Sequence, residues 1–173
     1  MNIVLIGYRG TGKSVVGRIL ARLLNRPLYS LDRIIESKGG MRIPEFVARN
    51  GWPRFRELES EVVCEVCAKA EEAILDCGGG VVLDHRNVER LKEQGRMVLL
   101  TAGFEILLKR LSRDRNRPAL MEGVSFEEEQ KLIMTQREAK YREAADFTCD
   151  TTQDTPEETA NEIVRHFRES GWV

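Results

Sequence analysis

The sequence predicts an α/β fold in which a five-stranded parallel sheet is covered by helices on both faces, giving three layers. Two observations predict it. Apolar clusters rich in β-branched residues alternate with amphipathic stretches from one end of the chain to the other. A glycine-rich turn also follows the first apolar cluster and leads directly into a helical stretch.

The predicted elements alternate along the chain. Strands are expected at residues 2–6, 28–31, 73–77, 97–101 and 147–150, the last being the weakest, and helices at residues 13–24, 53–69, 85–94, 104–111, 126–144 and 156–169. The last two helices carry start signals, because Ser125 and Thr155 each precede a first turn with acidic residues. Pro156 adds a second signal, since proline is favoured at the first helical position.

Two segments interrupt this alternation. Residues 32–60 insert two or three helical pieces around Gly39 and around Gly51, more than a crossover requires, and this predicts a subdomain. Residues 109–117 hold five basic residues against Asp114, a local net charge of +4, and run on to turn residues near Gly123. We interpret residues 112–124 as a mobile basic lid rather than as a solvated helix end.

Length and charge exclude several classes of protein. A chain of 173 residues suits one domain whose core needs neither disulfides nor a structural metal. The formal net charge of −1 disfavours nonspecific binding to nucleic acid or to anionic membranes. The apolar runs are too short to span a bilayer, and the first residues show no export signal, so we expect a cytoplasmic protein.

The cysteines and histidines offer weak alternatives. Cys64 and Cys67 form a C-x-x-C pair that lacks a second pair at zinc spacing. Their separation of three residues predicts the inward face of a helix, and all four cysteines are expected to be reduced thiols. His85 and His166 fall at the start of one predicted helix and within the last one, so we do not expect them to be catalytic.

The strongest chemical signal is the segment 7–14, GYRGTGKS, which matches the P-loop pattern G-x-x-x-x-G-K-[S/T] between a strand and a helix. Its glycines allow backbone amides to surround an anion, and the helix N-terminus adds positive potential. Lys13 is expected to reach the β- and γ-phosphates, and the Ser14 hydroxyl to bind Mg²⁺. The residues expected to hold the triphosphate are Gly10, Thr11, Gly12, Lys13, Ser14 and Val15.

The nucleotide is predicted to be ATP, because the guanine-reading pattern N-K-x-D is absent from the sequence. The P-loop alone leaves open transfer to a small molecule, transfer to a nucleotide, and a mechanical or regulatory ATPase.

Four further features follow the P-loop in order. They are Leu31-Asp32 after the second strand, Phe55-Arg56-x-x-Glu59, the triplet Gly78-Gly79-Gly80 after the third strand, and Arg117-Pro118 followed by Arg137-x-x-x-Tyr141. With these features the chain resembles the shikimate kinases, within the nucleoside-monophosphate-kinase-like group of P-loop proteins, over nearly its full length.

The resemblance implies a sheet order of 2-3-1-4-5 and transfer of the γ-phosphoryl of Mg·ATP to the 3-hydroxyl of shikimate, in the pathway to chorismate and the aromatic amino acids. It also implies roles for individual residues. Asp32 would contact the ring hydroxyls, Arg56 and Arg137 the carboxylate, Gly78, Gly79 and Gly80 the substrate, Arg117 the transferring phosphoryl group, and Arg110 and Gln153 the two faces of adenine.

Each of these roles has a structural alternative. Arg56 and Arg137 each have an acidic neighbour and could form ion pairs, although paired guanidinium groups also suit a carboxylate. The glycine triplet could be a hinge, or it could let the backbone approach a ligand. Asp32 could cap a helix, or it could orient the attacking hydroxyl with some base character.

Two positions depart from the family pattern. The family usually has an acid at the position of Ser30, whereas here the third strand ends on Asp76, where the family often has a small neutral residue. We hypothesise that Asp76 supports Mg²⁺ in place of position 30, the alternative being a bond to nearby backbone. Ala139 stands where the family usually has proline, which affects only local stiffness.

The function predicted from sequence is therefore shikimate kinase activity by a monomer. The alternatives are another small-molecule kinase of the same group, acting on a gluconate-like or nucleotide substrate, and a nucleotide-binding regulator without turnover.

Overall fold

The computed structural model describes residues 1–112 and 123–172. The described residues contain five strands, β1 Asn2–Ile6, β2 Leu28–Ser30, β3 Ile74–Asp76, β4 Gly95–Thr101 and β5 Phe147–Asp150. Every neighbouring pair is parallel, and the order is β2-β3-β1-β4-β5. Both the parallel sheet and the order expected from the resemblance are confirmed.

Seven α-helices connect and cover these strands in the described part of the chain. They are α1 Lys13–Leu24, α2 Leu31–Gly39, α3 Ile43–Lys69, α4 His85–Gln94, α5 Phe104–Leu111, α6 Phe126–Ala144 and α7 Pro156–Glu169, with a 3₁₀ turn at Val81–Leu83. Ser125 and Thr155 each form a capping box at the start of α6 and α7, as their spacing to Glu128 and Glu158 predicts.

The two faces of the sheet support two separate cores. Successive residues of β1 point to opposite faces. Ile3 and Leu5 pack against α1 and α7, whereas Val4 and Ile6 pack against the larger layer that contains α3, α4 and α6. All of β1 is buried, which explains its continuous apolar sequence. These contacts form the three predicted layers.

The segment between β2 and β3 confirms one expected boundary and corrects another. α3 consists of two helices that meet at a kink at Gly51, where φ is 80° and ψ is 164°, so the helix expected at residues 53–69 begins close to its predicted start and a further helical piece precedes it from Ile43. Pro53 lacks an N–H, which the first turn of a helix does not need, and Gly51 accommodates the kink because glycine tolerates positive φ. β2 is also one residue shorter than expected, since Leu31 already starts α2.

Residues 32–60 span most of α2 and the first part of α3, and these two helices contact each other, so the subdomain stays a prediction. Most of the expected lid at 112–124, with Arg113, Arg115, Arg117 and Pro118, lies outside the described residues.

The two cysteines of the C-x-x-C pair differ in exposure. Cys67 is half-buried, but Cys64 is exposed, so the expected inward face was wrong for Cys64. All four cysteines are in the described part of the chain and are free thiols, and burial raises the pKa of Cys67 to about 11. Neither residue belongs to a cluster of three or more potential metal ligands among the described residues.

Every helix in the described part of the chain is too short or too polar to cross a bilayer.

Because the strands are all parallel, their carboxyl ends meet at one edge of the sheet. The loops that follow β1, β3 and β5 therefore come together there, where open α/β sheets bind ligands.

Candidate active site

The loop between β1 and α1 has the backbone of a phosphate-binding loop. Gly10 and Gly12 have φ values of 83° and 94°, which side-chain-bearing residues rarely adopt. A Cβ atom on Gly7 would lie 2.3 Å from the Leu100 carbonyl oxygen of β4. Gly12 occupies the N-cap of α1, so an anion can take the place of a capping side chain.

Lys13 folds back over this loop. Its Nζ donates hydrogen bonds to the carbonyl oxygens of Gly7 at 2.8 Å and of Tyr8 at 3.0 Å, and the residue is buried. A buried ammonium group held inside the loop supplies the positive charge that a bound triphosphate requires.

Ser14 and Asp76 are brought together by the neighbouring ends of α1 and β3. The Ser14 hydroxyl donates to Asp76 Oδ2 at 2.7 Å, and Asp76 is 6% exposed. Asp76 is also the register partner of Ser30 across the β2–β3 ladder. Position 30, where the resemblance implies an acid, and Asp76 therefore lie side by side on adjacent strands.

A cleft of about 380 Å³ runs from the P-loop to Asp32 and to Gly78 and Gly79 of the triplet. At one end Arg110 donates from Nη1 to the Gly10 carbonyl oxygen at 3.1 Å and from Nη2 to the Thr151 carbonyl oxygen at 2.8 Å. Gln153 is exposed, whereas Asp154 of the same loop and Pro156 at the start of α7 line this cleft. Arg110 and that loop thus flank the end where adenine is expected.

Gly78 and Gly80 of the glycine triplet lie against charged side chains with no room for a Cβ. A Cβ on Gly78 would be 2.7 Å from Asp32 Oδ1, and a Cβ on Gly80 would be 2.1 Å from Arg56 Nη1. Around Gly79, the same atom would lie 3.5 Å from the Arg9 amide nitrogen of the P-loop. Close approach of the backbone therefore explains the glycines at positions 78 and 80, whereas a Cβ on Gly79 would make an ordinary contact.

Arg56 forms an ion pair, but not the surface pair that sequence suggested as an alternative. Its Nη1 donates to Glu59 Oε2 at 2.7 Å, and the Glu59 side chain is only 3% exposed. The guanidinium also lies 5.3 Å from the ring centroid of Trp52 and 5.1 Å from that of Phe55. Burial raises the pKa of Glu59, and the Arg56 guanidinium opposes this by favouring the charged carboxylate.

Arg137 reaches the same loop from α6. Its Nη1 donates to the Gly79 carbonyl oxygen at 3.2 Å, and the Tyr141 hydroxyl donates to that same oxygen. Burial raises the pKa of Tyr141 to about 12, so the hydroxyl is protonated and serves as a donor. The neighbouring Glu138 pairs with Arg142 instead.

Asp32 lines the cleft from the first turn of α2. The alternative that it caps a helix was wrong, because the N-cap position is that of Ser30. The strand ends one residue before expected, so Asp32 is presented by a helix N-terminus rather than by the strand itself.

Sequence reasoning missed Thr151, which is 4% exposed beside the P-loop. Its hydroxyl donates to the Thr11 carbonyl oxygen at 3.0 Å and accepts from Arg110 at 3.2 Å. A hydroxyl residue directly after the last strand was the available signal. Arg117 lies outside the described residues, so its expected role stays a prediction.

The chain is similar to known proteins in both sequence and fold. The family model described as shikimate kinase matches residues 9–168. The chain belongs to the shikimate kinase family. Members of this family are ATP-dependent phosphotransferases.

Individual relatives cover almost the whole chain. The shikimate kinase of Syntrophus aciditrophicus is 42% identical over 96% of this chain and 91% of its own length, and that of Thermodesulfovibrio yellowstonii is 39% identical over 96% and 94%. The Acinetobacter baumannii shikimate kinase, solved in complex with shikimate, superposes with a TM-score of 0.91 at 35% identity and covers 98% of this chain and 93% of that one. The Aquifex aeolicus enzyme gives a TM-score of 0.85 at 31% identity, covering 99% and 98%.

Proposed function

We propose that this shikimate kinase family member transfers the γ-phosphoryl group of ATP to the 3-hydroxyl of shikimate, giving shikimate 3-phosphate and ADP. One cleft joins the P-loop, Asp32 and the glycine triplet, as an in-line transfer requires. The solved relative from Acinetobacter baumannii contains shikimate, which supports the same substrate here.

The observation that carries this proposal is the position of the two arginines. Arg56 contacts the glycine triplet from α3, and Arg137 contacts it from α6. The triplet lies beside the P-loop, since a Cβ on Gly79 would be 3.5 Å from the Arg9 amide nitrogen. Two guanidinium groups therefore stand beside a triphosphate site, where they can bind the carboxylate of a small acid and hold its hydroxyl near the phosphates.

Asp32 is placed to orient the attacking hydroxyl. Its carboxylate lies against Gly78, in the same cleft as Lys13. Because phosphoryl transfer depends mainly on positioning and on electrostatic stabilisation, accepting a hydrogen bond from the hydroxyl is its main task, with proton acceptance as the bond forms. Lys13 stabilises the phosphate charge, and we keep Arg117 as the proposed cation on the transferring group.

Mg²⁺ fits the donors at the end of β3. Ser14 and Asp76 offer a hydroxyl and a carboxylate, and Mg²⁺ prefers oxygen ligands, binding through one or two carboxylates together with water and substrate phosphates. Bound with ATP, the ion would neutralise phosphate charge.

The carboxylate on β3 takes the place of the family's acid on β2. The register pairing of Ser30 with Asp76 allows this exchange, since the two positions adjoin at the same edge of the sheet. Asp76→Asn is expected to raise the Mg²⁺ concentration needed for half-maximal activity, and adding Ser30→Asp is expected to lower it again. Calorimetric titration of Mg²⁺ into each variant with ADP gives a second readout, and Ser30→Asp alone is the control. An unchanged requirement in Asp76→Asn contradicts the exchange.

A coupled assay of ADP release tests the function. With Mg·ATP we expect turnover with shikimate, and none with its methyl ester, which lacks the carboxylate charge that the arginines bind. Turnover with gluconate or AMP but not shikimate would identify another small-molecule kinase. Nucleotide binding without turnover on any acceptor would identify a non-catalytic nucleotide-binding protein.

We also propose a monomer that acts in the cytoplasm. Every site residue named above, Arg117 included, comes from one chain, and four free thiols suit a reducing compartment. Light scattering is expected to give a mass near 19.8 kDa.

A further inference from the structure

A buried polar cluster joins the P-loop to the beginning of α6. It consists of Tyr8, Arg9, Glu129 and Gln130. Gln130 Oε1 accepts hydrogen bonds from the Tyr8 hydroxyl at 2.6 Å and from Arg9 Nε and Nη2 at 2.8 and 2.5 Å. Gln130 Nε2 donates to Glu129 Oε2 at 2.9 Å, and Arg9 Nη2 lies 3.7 Å from that same oxygen.

The cluster is deeply buried and carries opposite charges. Gln130 is fully buried, and the side chains of Arg9 and Glu129 are 10% and 5% exposed. Removing one partner of a buried charged network leaves polar groups without hydrogen bonds, which is costly. The four residues are therefore expected to move together, so the P-loop at residues 8–9 and the first turns of α6 hold fixed positions relative to each other.

The helix extends this link to the proposed carboxylate site. Arg137 and Tyr141 follow Gln130 by seven and eleven residues, which returns them to the same face of α6, within about 20°. Both donate to the Gly79 carbonyl oxygen. At 1.5 Å per residue, roughly 10 Å of rigid helix separates Gln130 from Arg137.

The third side of this arrangement is the proximity of Gly79 to the P-loop. A Cβ on Gly79 would lie 3.5 Å from both the Arg9 amide nitrogen and the Gly7 carbonyl oxygen. α6 thus bonds to both the P-loop and the glycine triplet, and the triplet lies beside the P-loop. A shift of α6 changes its hydrogen bonds to both.

We propose that Arg9 and Gln130 are positioning residues that couple the nucleotide site to the shikimate site. A triphosphate that fixes the P-loop fixes Arg9, and Gln130 transmits that position along α6 to the guanidinium of Arg137. Nucleotide binding then raises the affinity for shikimate, and shikimate raises the affinity for nucleotide by the same factor. The inference rests on the proposed function, because it takes Arg137 as a ligand of the shikimate carboxylate.

Isothermal titration measures this coupling as the ratio of the shikimate dissociation constants without and with saturating Mg·ADP. For the wild type we expect a ratio between about 5 and 150. Gln130→Leu and Arg9→Met are expected to bring the ratio to within about twofold of one, and their combination is expected to reduce it no further. Tyr8→Phe removes one hydroxyl and keeps the ring, so it is expected to reduce the ratio less. Because it is the mildest change, it tests the coupling even if the other variants fail to fold.

Two control variants lie on the exposed side of the same helix. Arg142 pairs only locally, with Glu138, and the Thr135 hydroxyl donates to the Lys131 carbonyl oxygen of its own helix. Arg142→Ala and Thr135→Val are expected to keep the wild-type ratio.

The outcomes separate the coupling from a structural role. Two results overturn the coupling. One is that the Gln130 and Arg9 variants are less stable, or bind both ligands equally more weakly, but keep the wild-type ratio of shikimate dissociation constants. The other is a ratio of one in the wild type. In those cases shikimate still binds and the proposed function stands. Failure of the wild type to bind shikimate, with or without Mg·ADP, overturns the proposed function together with the coupling.

Discussion

Around the glycine triplet, the space left for a single added atom determines which residues fit. Arg56 rests on Gly80 and Asp32 on Gly78, at distances that leave no space for a methyl group. Gly80 has a φ of −98°, which any residue can adopt. Its glycine is therefore required by the neighbouring guanidinium rather than by the backbone.

Gly80→Ala is expected to raise the KM for shikimate at least tenfold while the protein still folds. The new Cβ would displace the end of a flexible Arg56 side chain, which can move, but away from its position beside the triplet. Steady-state kinetics with thermal unfolding measure both effects. Gly103→Ala is the matched control, because its Cβ would meet Thr152 Cγ2 at an ordinary 3.5 Å. A larger KM effect in the control than in Gly80→Ala would contradict this explanation.

Removing either proposed carboxylate ligand is expected to weaken shikimate binding by about 1.5–3 kcal/mol, since a hydrogen bond between charged groups is lost. Arg56→Ala and Arg137→Ala should each raise KM tenfold or more. Arg54→Ala provides the comparison, because Arg54 is an exposed neighbour that pairs with Glu57 and Glu61. Equal KM values for Arg56→Ala and Arg54→Ala would show that Arg56 does not contact the substrate.

Among the secondary-structure elements, α4 shows how a helix end depends on one carboxylate. Asp84 is its N-cap, accepting from the Arg86 amide at 3.0 Å and from the Arg86 guanidinium at 2.8 and 3.1 Å. The hydrogen bonds from Arg86 lower the pKa of Asp84 from 3.8 to about 2, and those from the Arg86 side chain contribute most. The cap links the segment after the glycine triplet to a helix that packs on α3 and β4.

Asp84→Ala is expected to lower the free energy of unfolding by about 1 kcal/mol at neutral pH, the usual cost of losing an N-cap. A lowered pKa means that the ionised group stabilises the fold fully above pH 3.8 and loses this effect as the pH falls through about 2. The gap between wild type and Asp84→Ala should therefore narrow in urea unfolding as the solution is acidified over that range. Asp84→Asn, which keeps a capping oxygen, should lie nearer the wild type at neutral pH. A gap that does not change with pH would contradict the assigned pKa.

For the whole molecule, the ligand site lies where the loops from several elements meet. The cleft is lined by residues of the P-loop, α1, α2, the glycine triplet, α5 and the segment after β5. Ligand binding must therefore stabilise the fold as a unit, because local opening of any of these elements would disrupt the cleft.

Mg·ADP at about 100 times its dissociation constant is expected to stabilise the protein by about 2.7 kcal/mol. For a chain of this length, that corresponds to a rise in Tm of about 5–11 °C. Lys13→Met is expected to abolish most of this shift, and Arg18→Ala, on the exposed face of α1, to retain it. Differential scanning calorimetry measures the shift, and an equal shift in Lys13→Met would place the nucleotide elsewhere.

Much of the fold and part of the site could be predicted from local sequence. The continuous apolar run of β1, the spacing of GYRGTGKS and the two capping boxes each act within a few residues, so they are legible without the fold. The resemblance to shikimate kinases supplied the sheet order, which the structure confirms. Pro53 correctly marked the start of the second helical piece of α3, because proline suits a first helical turn, and the piece that precedes the kink at Gly51 was expected only as part of an inserted helical subdomain.

What the sequence by itself determined is the class of fold and the presence of a triphosphate-binding loop, because both depend on residue order and periodicity. Only the tertiary structure decided which distant residues meet. It paired Ser14 with Asp76, 62 positions apart, and Arg9 with Gln130, 121 positions apart. Contacts at such separations depend on how the strands are ordered and how the helices pack, and no local pattern encodes them.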